Sequence, residues 1–362
     1  MEIIGKITGI RYDIKVTETL QRFEIENFNI NDATSACIVT DGDRTFAISK
    51  WVSPKRTRSY PYERVYNTLN SAKKITVIPV VKDEGAAGDR DFIQWDTVSL
   101  MSLLDVFVIF AFYEKADAHD EKITNQKFSN SFVLNKLHEI FTYHSSALHW
   151  NLNELEHHFD DILEQSQSSY AQINQETGVR LHQAKGIENF RKRINRDVEK
   201  FMQFSRQKAQ EAQRREFVTT QPKEVLSTLT KAKITIANYL GGFYFFTVDE
   251  VLIVNQKLQL IEAKHSRNTV LPSKSDIKDG LLKMILYSNL KDVSVDGQHF
   301  EAEAILKLTS NRVINRIDSS DTEGVFESFC ESNNISETQR LFLIQLFLEA
   351  KTNNFTIKIE PA

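Results

Sequence analysis

The spacing of hydrophobic positions changes character three times along the chain. Between residues 1 and 120, Ile75-Thr76-Val77-Ile78-Pro79-Val80-Val81 and Val106 to Phe112 are short apolar runs that predict buried strands. Pro79 lacks an N–H and points to an edge or a bulge in the first. From Phe92 to Leu104 apolar residues recur at helical spacing, so strand, helix, strand predicts a βαβ unit. Residues 121–220 contain no proline and only Gly178 and Gly186, which predicts a helical region. From 221 to 362 period-two alternation returns: Lys233 to Ile236, Phe243 to Val254 and Lys257 to His265 read as strands. Ser273, with Asp276 three residues on, predicts the capped start of a helix lined by Ile277, Leu281 and Ile285. Val293, Val295, the Asp296-Gly297 turn and alternating Phe300, Ala302, Ala304 and Leu306 predict a hairpin. Ser336 with Gln339 caps a last helix carrying Leu341, Ile344 and Leu348, and Phe355, Ile357 and Ile359 alternate as a closing strand. The fold class is therefore mixed α/β: an N-terminal α/β domain over 1–120, a helical region over 121–220 and a further mixed domain over 221–362.

Composition narrows the classes. The chain has 362 residues, of which 41% are apolar, enough to fill the cores of two or three domains. Six prolines and 12 glycines are too few for collagen-like or linker-dominated sequence. Cys37 and Cys330 can build neither a disulfide framework nor a thiolate zinc site, which predicts a reducing, cytoplasmic home. The N-terminus lacks a signal-peptide pattern, and the most apolar stretch, Val106 to Phe112, is far short of the roughly 20 residues of a membrane span. A soluble protein with no membrane partner is expected.

Net charge is −4, so only local charge could announce nucleic acid. Residues 185–215 hold ten basic residues against Glu188, Asp197, Glu199 and Glu211. Arg191, Lys192, Arg193 and Arg196 are its candidate phosphate contacts, although a solvated helix face has the same composition. Trp51 to Tyr66 mixes Lys55, Arg56, Arg58 and Arg64 with four aromatics, a composition that suits base edges and phosphates and equally an exposed loop. The acidic stretch Lys82 to Asp91 reads as a structured turn ahead of a second metal site. His157 and His158, as helix neighbours about 100° apart, make a poor chelate.

The most informative segment runs from Phe246 to His265. Period two puts Leu258, Leu260, Glu262 and Lys264 on one strand face, apolar at first and ionic at its end. Asp249 lies on the strand before it. Two carboxylates can hold Mg²⁺, a hard cation that prefers oxygen, and a neighbouring lysine can orient water and offset charge at a phosphate. The tripeptide [Asp/Glu]-x-Lys alone is uninformative, since it occurs five times in the chain. Glu262-Ala263-Lys264 differs from the others in ending an apolar strand with an acid on the predicted partner strand. A strand-end salt bridge would carry the same residues.

At these positions the sequence resembles the PD-(D/E)XK nuclease superfamily, whose members include type II restriction endonucleases. Val248-Asp249 stands where the family has Pro-Asp, and Glu262-Ala263-Lys264 supplies the second half of the motif. Twelve residues separate Asp249 from Glu262, and a helix follows, as in the family. The resemblance covers about residues 224–310. It implies a restriction-endonuclease-like mixed-sheet core at 221–362, with Asp249, Glu262 and Lys264 catalytic. It further implies Mg²⁺ on Asp249, Glu262 and the backbone carbonyl of Ala263. Glu250 could replace Asp249, and Glu224 could add an upstream acid. The implied activity is Mg²⁺-dependent hydrolysis of phosphodiester bonds in double-stranded DNA by a homodimer, with a protecting DNA methyltransferase in the same cell. A less sequence-specific repair or phage-defence nuclease and a non-catalytic DNA-binding protein of the same fold are the alternatives.

Overall fold

A computed structural model describes residues 2–51, 62–194, 197, 199–204, 207, 232–238 and 243–362. The chain divides into two compact units, one of residues 1–18 with 209–362 and the other of residues 19–208. The first 18 residues, grouped by sequence with the segment that follows them, cluster instead with the last 154. The physical reason is one strand. Glu2–Ile7 alternates exposed and buried positions, and pairs parallel with Ala232–Asn238 and antiparallel with Lys291–Val295. Six alternating residues specify a half-buried strand but not its partner.

The 19–208 unit has a five-stranded sheet in the order Gln21–Glu24, Ala36–Asp41, Arg44–Lys50, Lys74–Pro79, Val106–Ala111. The last two strands are parallel, and helix Trp95–Leu103 lies between them in sequence, the expected βαβ unit. Pro79 sits at the end of its strand, where its missing donor costs no mid-ladder bond. Helical sequence begins later than expected. Lys122–Phe128 is a strand paired antiparallel with Tyr113–His119, and the helices are Asn130–Thr142, Ala147–His157, Phe159–Thr177 and Lys185–Ile194. That strand is mostly polar, with Ile123 and Phe128 as its buried apolar residues, so it left no clear period.

The other unit has two five-stranded sheets. The first runs Phe243–Val248, Ala232–Asn238, Glu2–Ile7, Lys291–Val295, Gln298–His299. The second runs Glu250–Val254, Lys257–Ser266, Glu301–Ser310, Thr356–Pro361, Ile317–Asp318, with its three middle strands parallel and both edges antiparallel. This is a mixed sheet. Helix Lys274–Tyr287 connects its second strand onward, starts at Ser273, whose side chain accepts the Asp276 N–H, and buries Ile277, Leu281 and Ile285.

Three sequence expectations change here. Phe243 to Val254 is not one strand: the chain leaves the first sheet at Val248 and enters the second at Glu250. The hairpin after Asp296-Gly297 is short, because pairing back ends at Phe300 while Glu301–Ser310 runs in the second sheet. On the last helix, Glu337–Thr352, Leu341, Ile344 and Leu348 are exposed while Phe342, Leu343, Leu346 and Ala350 are buried. That helix is apolar nearly all round, so its period could not choose a face. Among the described residues, no helix is long and apolar enough to cross a membrane.

Candidate active site

The break between the two sheets places the first acid. Asp249 occupies the single residue between strands ending at Val248 and beginning at Glu250. It lies beyond the edge strand, next to the C-terminal part of Lys257–Ser266, where Glu250 is in register with Ile261. Its Oδ2 accepts the backbone N–H of Ala263 at 3.0 Å. A residue's N–H and C=O leave a strand on the same edge, so the Ala263 carbonyl faces the same side as the Asp249 carboxylate. Glu250 turns elsewhere: both its oxygens take the Lys307 ammonium, at 2.8 and 2.9 Å. The alternation of strand side chains thus separates the two neighbouring acids.

Glu262 continues the face of Leu258 and Leu260, in register with Leu306 and Ile357 on the next two strands. Helix Lys274–Tyr287 covers this face. Glu262 is 2% exposed, a buried carboxylate that must be paired. Its Oε1 meets Lys264 Nζ at 2.9 Å and its Oε2 meets Lys283 Nζ at 2.6 Å. Burial pushes the Glu262 carboxyl up, but the ammoniums of Lys283 and Lys264 outweigh it and hold the group below the usual carboxylate range. Asp249 moves the other way. Burial raises it, and the charge of Glu262 raises it further; Lys283 and the Ala263 N–H only partly offset this.

Lys283 and Tyr287 belong to this site and were not found by sequence reasoning. On the helix, Gly280, Lys283 and Tyr287 follow the i, i+3, i+7 spacing of one stripe, flanking the apolar stripe of Ile277, Leu281 and Ile285. A lysine and a tyrosine on a stripe beside a core face were the available signal. A Cβ on Gly280 would lie 2.6 Å from Leu306 Cδ1 and 3.4 Å from Lys264 Cε, so the missing side chain leaves room for the Lys264 stem. Tyr287 is 1% exposed and its hydroxyl has no hydrogen-bond partner among the described residues, while burial and the charges of Glu262 and Asp249 push it well above the usual phenol range.

Among the described residues, no three His, Cys, Asp or Glu side chains gather into a metal cage. Mg²⁺ does not need one, since it is commonly held by one or two carboxylates with water and phosphate completing its shell. The donor set here fits that chemistry. Two adjoining carboxylates repel each other, a backbone carbonyl faces the same edge, and an unpartnered buried hydroxyl lies beside them. Asp249, Glu262 and the carbonyl of Ala263 would hold the ion.

The other candidate residues fall outside this cluster. Lys55, Arg56, Arg58, Arg196 and Glu224 lie outside the described residues. Arg64 is paired with Glu63 at 3.4 Å. Arg191 places Nε and a terminal nitrogen 2.8 Å from the two oxygens of Asp160, with Glu164 at 3.2 Å, an internal fork rather than an open cation. Lys192 pairs with Glu188 one turn away, and Arg193 lies over the Phe204 ring. In the acidic turn, Asp83 accepts the Gly85 N–H at 2.9 Å and meets His182 Nδ1 at 2.8 Å, while Glu84 pairs with buried Lys82. These contacts fit the structured-turn reading. Comparison with protein-family models, with curated proteins and with solved structures returned no match.

Proposed function

We propose that this chain is a Mg²⁺-dependent endonuclease that hydrolyses phosphodiester bonds of double-stranded DNA, most simply as a type II restriction enzyme. The observation that carries the reading is Glu262 and Lys264 side by side on the otherwise apolar face of a parallel strand, with Asp249 anchored on the intervening Ala263 N–H. Asp249 and Glu262 bind and orient the cation through oxygen. When bound, Mg²⁺ supplies Lewis-acid polarisation of a phosphate oxygen. Lys264, half-buried with its ammonium 2.9 Å from Glu262, positions the attacking water and offsets the charge that develops on phosphorus. The apolar strand and its covering helix keep these groups in fixed rotamers and limit water around them.

A duplex has two strands of opposite polarity, so coordinated double-strand cleavage calls for two copies of this site and favours a homodimer. A restriction enzyme would also imply a methyltransferase that protects the host's own sites. One observation favours the non-catalytic reading: both Glu262 oxygens are already satisfied by ammoniums, as in a closed ion-pair network.

Plasmid DNA incubated with the purified chain and Mg²⁺ separates the readings. Discrete fragments with defined ends, lost in Glu262→Gln, support the restriction enzyme. A smear supports a less specific nuclease, and intact plasmid supports the non-catalytic protein.

A further inference from the structure

The function proposed above needs Lys264 but leaves Lys283 without a task. Lys283 comes from the covering helix, not from the motif strand, and it makes the shorter of the two contacts to Glu262, 2.6 Å on Oε2. An ammonium this close to a buried carboxylate stands on an oxygen that a divalent cation would take. Unlike a guanidinium, it is a point charge on a flexible four-carbon stem and is not locked in a planar fork. About a quarter of the Lys283 side chain, 24%, remains exposed, so the stem has a way out toward water.

Resting on the nuclease reading, we infer that Lys283 is a built-in counter-ion that occupies the cation position on Glu262 and yields it to a divalent metal. The resting site is thereby kept neutral enough to stay folded around two acids, and the metal must displace an ammonium to load. Lys283 therefore raises the Mg²⁺ concentration at which the site fills. It is a positioning residue for the metal ligands, distinct from Lys264, which the proposed reaction keeps in place.

Isothermal titration of Mg²⁺, and of Ca²⁺ in parallel, into the full chain without DNA tests this directly. Lys283→Gln keeps a hydrogen-bond donor for Glu262 and removes the charge. It should bind Mg²⁺ tighter than wild type by at least about tenfold, the scale of a like charge removed from a partly buried site. Lys283→Arg should bind no tighter than wild type. Lys307→Gln removes an ammonium of the same sheet that is held by Glu250, and should change the affinity less than about twofold. Thermal melts identify any variant that fails to fold, in which case Lys283→Met replaces Lys283→Gln. Equal or weaker Mg²⁺ binding by Lys283→Gln, with wild-type cleavage intact, overturns the counter-ion role alone. So does a gain in Lys307→Gln as large as that in Lys283→Gln. If neither wild type nor Lys283→Gln binds Mg²⁺ and wild type leaves DNA uncut, the nuclease reading falls and the counter-ion role falls with it.

Discussion

Glu-Ala-Lys occurs twice in the same unit, at 262–264 in a strand and at 349–351 in a helix. In the strand, period two puts Glu262 and Lys264 on one face, and their charges meet at 2.9 Å. In the helix the same two residues are about 200° apart, so Glu349 is buried and Lys351 is exposed. Glu349 is satisfied by the Tyr12 hydroxyl and the N–H groups of Lys15 and Val16, each at 2.8 Å. Neutral donors fasten residues 12–16 to the last helix through it. Glu262 is satisfied by two ammoniums, adjoins a second acid held above its ordinary range, and has an unpartnered phenol nearby. One carboxylate is a finished fastening and the other belongs to a cluster of charged groups beside a second, strained acid. Backbone period and neighbours, rather than the tripeptide, make the difference.

The sharpest contrast is in catalysis. Glu262→Gln keeps the side-chain shape but gives up a metal ligand, and single-turnover cleavage at saturating Mg²⁺ should fall on the order of a thousandfold or more. Binding of duplex DNA in Ca²⁺, followed by anisotropy, should be kept. Glu349→Gln, assayed well below its melting temperature, should cleave as wild type does. Equal losses in the two variants would erase the distinction between them.

Stability should rank the pair the other way. Glu349→Ala leaves two backbone N–H groups and a tyrosine hydroxyl without their buried acceptor, at a cost of about 3 kcal/mol. A melting temperature within a degree of wild type would mean that residues 12–16 do not depend on this carboxylate.

Much of this contrast is legible in the sequence, and the limits of that reading are physical. The strand at Lys257–Ser266, the helix from Lys274 and the closing strand at Thr356–Pro361 follow from period and capping, which act within a few residues. Alternation also singled out Glu262 and Lys264. What escaped was long-range or ambiguous. Glu2–Ile7 finds its partner more than 200 residues away at Ala232–Asn238, and nothing in its own pattern names that partner. The break at Asp249 was hidden because strand-forming residues, β-branched and aromatic, run up to Asp249-Glu250 from both sides. Lys283 and Tyr287 were missed because they flank the apolar stripe of a helix, where polar residues usually face water.

Lys264→Ala tests whether the shared face matters. The chemical step should fall by on the order of a hundredfold, the range for loss of one preorganised electrostatic group. Mg²⁺ affinity should survive because both carboxylates remain. Lys351→Ala, the matching change in the helix, should leave cleavage within about twofold, since solvent separates that charge from any acid on its face. A Lys264→Ala rate within threefold of wild type would reduce Glu262-Ala263-Lys264 to a strand-end ion pair.

The smallest effect is the most diagnostic, because its sign is opposite at the two acids of the site. Glu262 has a folded-state pKa below its unfolded value, so its stabilisation is present above the unfolded pKa and is lost as pH falls through the folded one. Asp249 has a folded-state pKa above its unfolded value. There the native state holds the proton more readily, so stability declines as pH rises from about 4, the unfolded value, through the raised folded value. Above that window Asp249 is a standing cost in the metal-free protein. Asp249→Asn keeps an oxygen for the Ala263 N–H and removes the charge. In EDTA at pH 7.5 it should therefore raise the melting temperature above that of wild type. The gain should shrink toward zero near pH 4, where wild-type Asp249 carries its own proton. Mg²⁺ should then stabilise wild type and not the variant, since only the charged pair binds it. Melting curves across this pH range, with and without Mg²⁺, decide the matter. If Asp249→Asn is instead less stable at pH 7.5, Asp249 is a fastening like Glu349, and the site loses the destabilised acid that marks it as built for a cation.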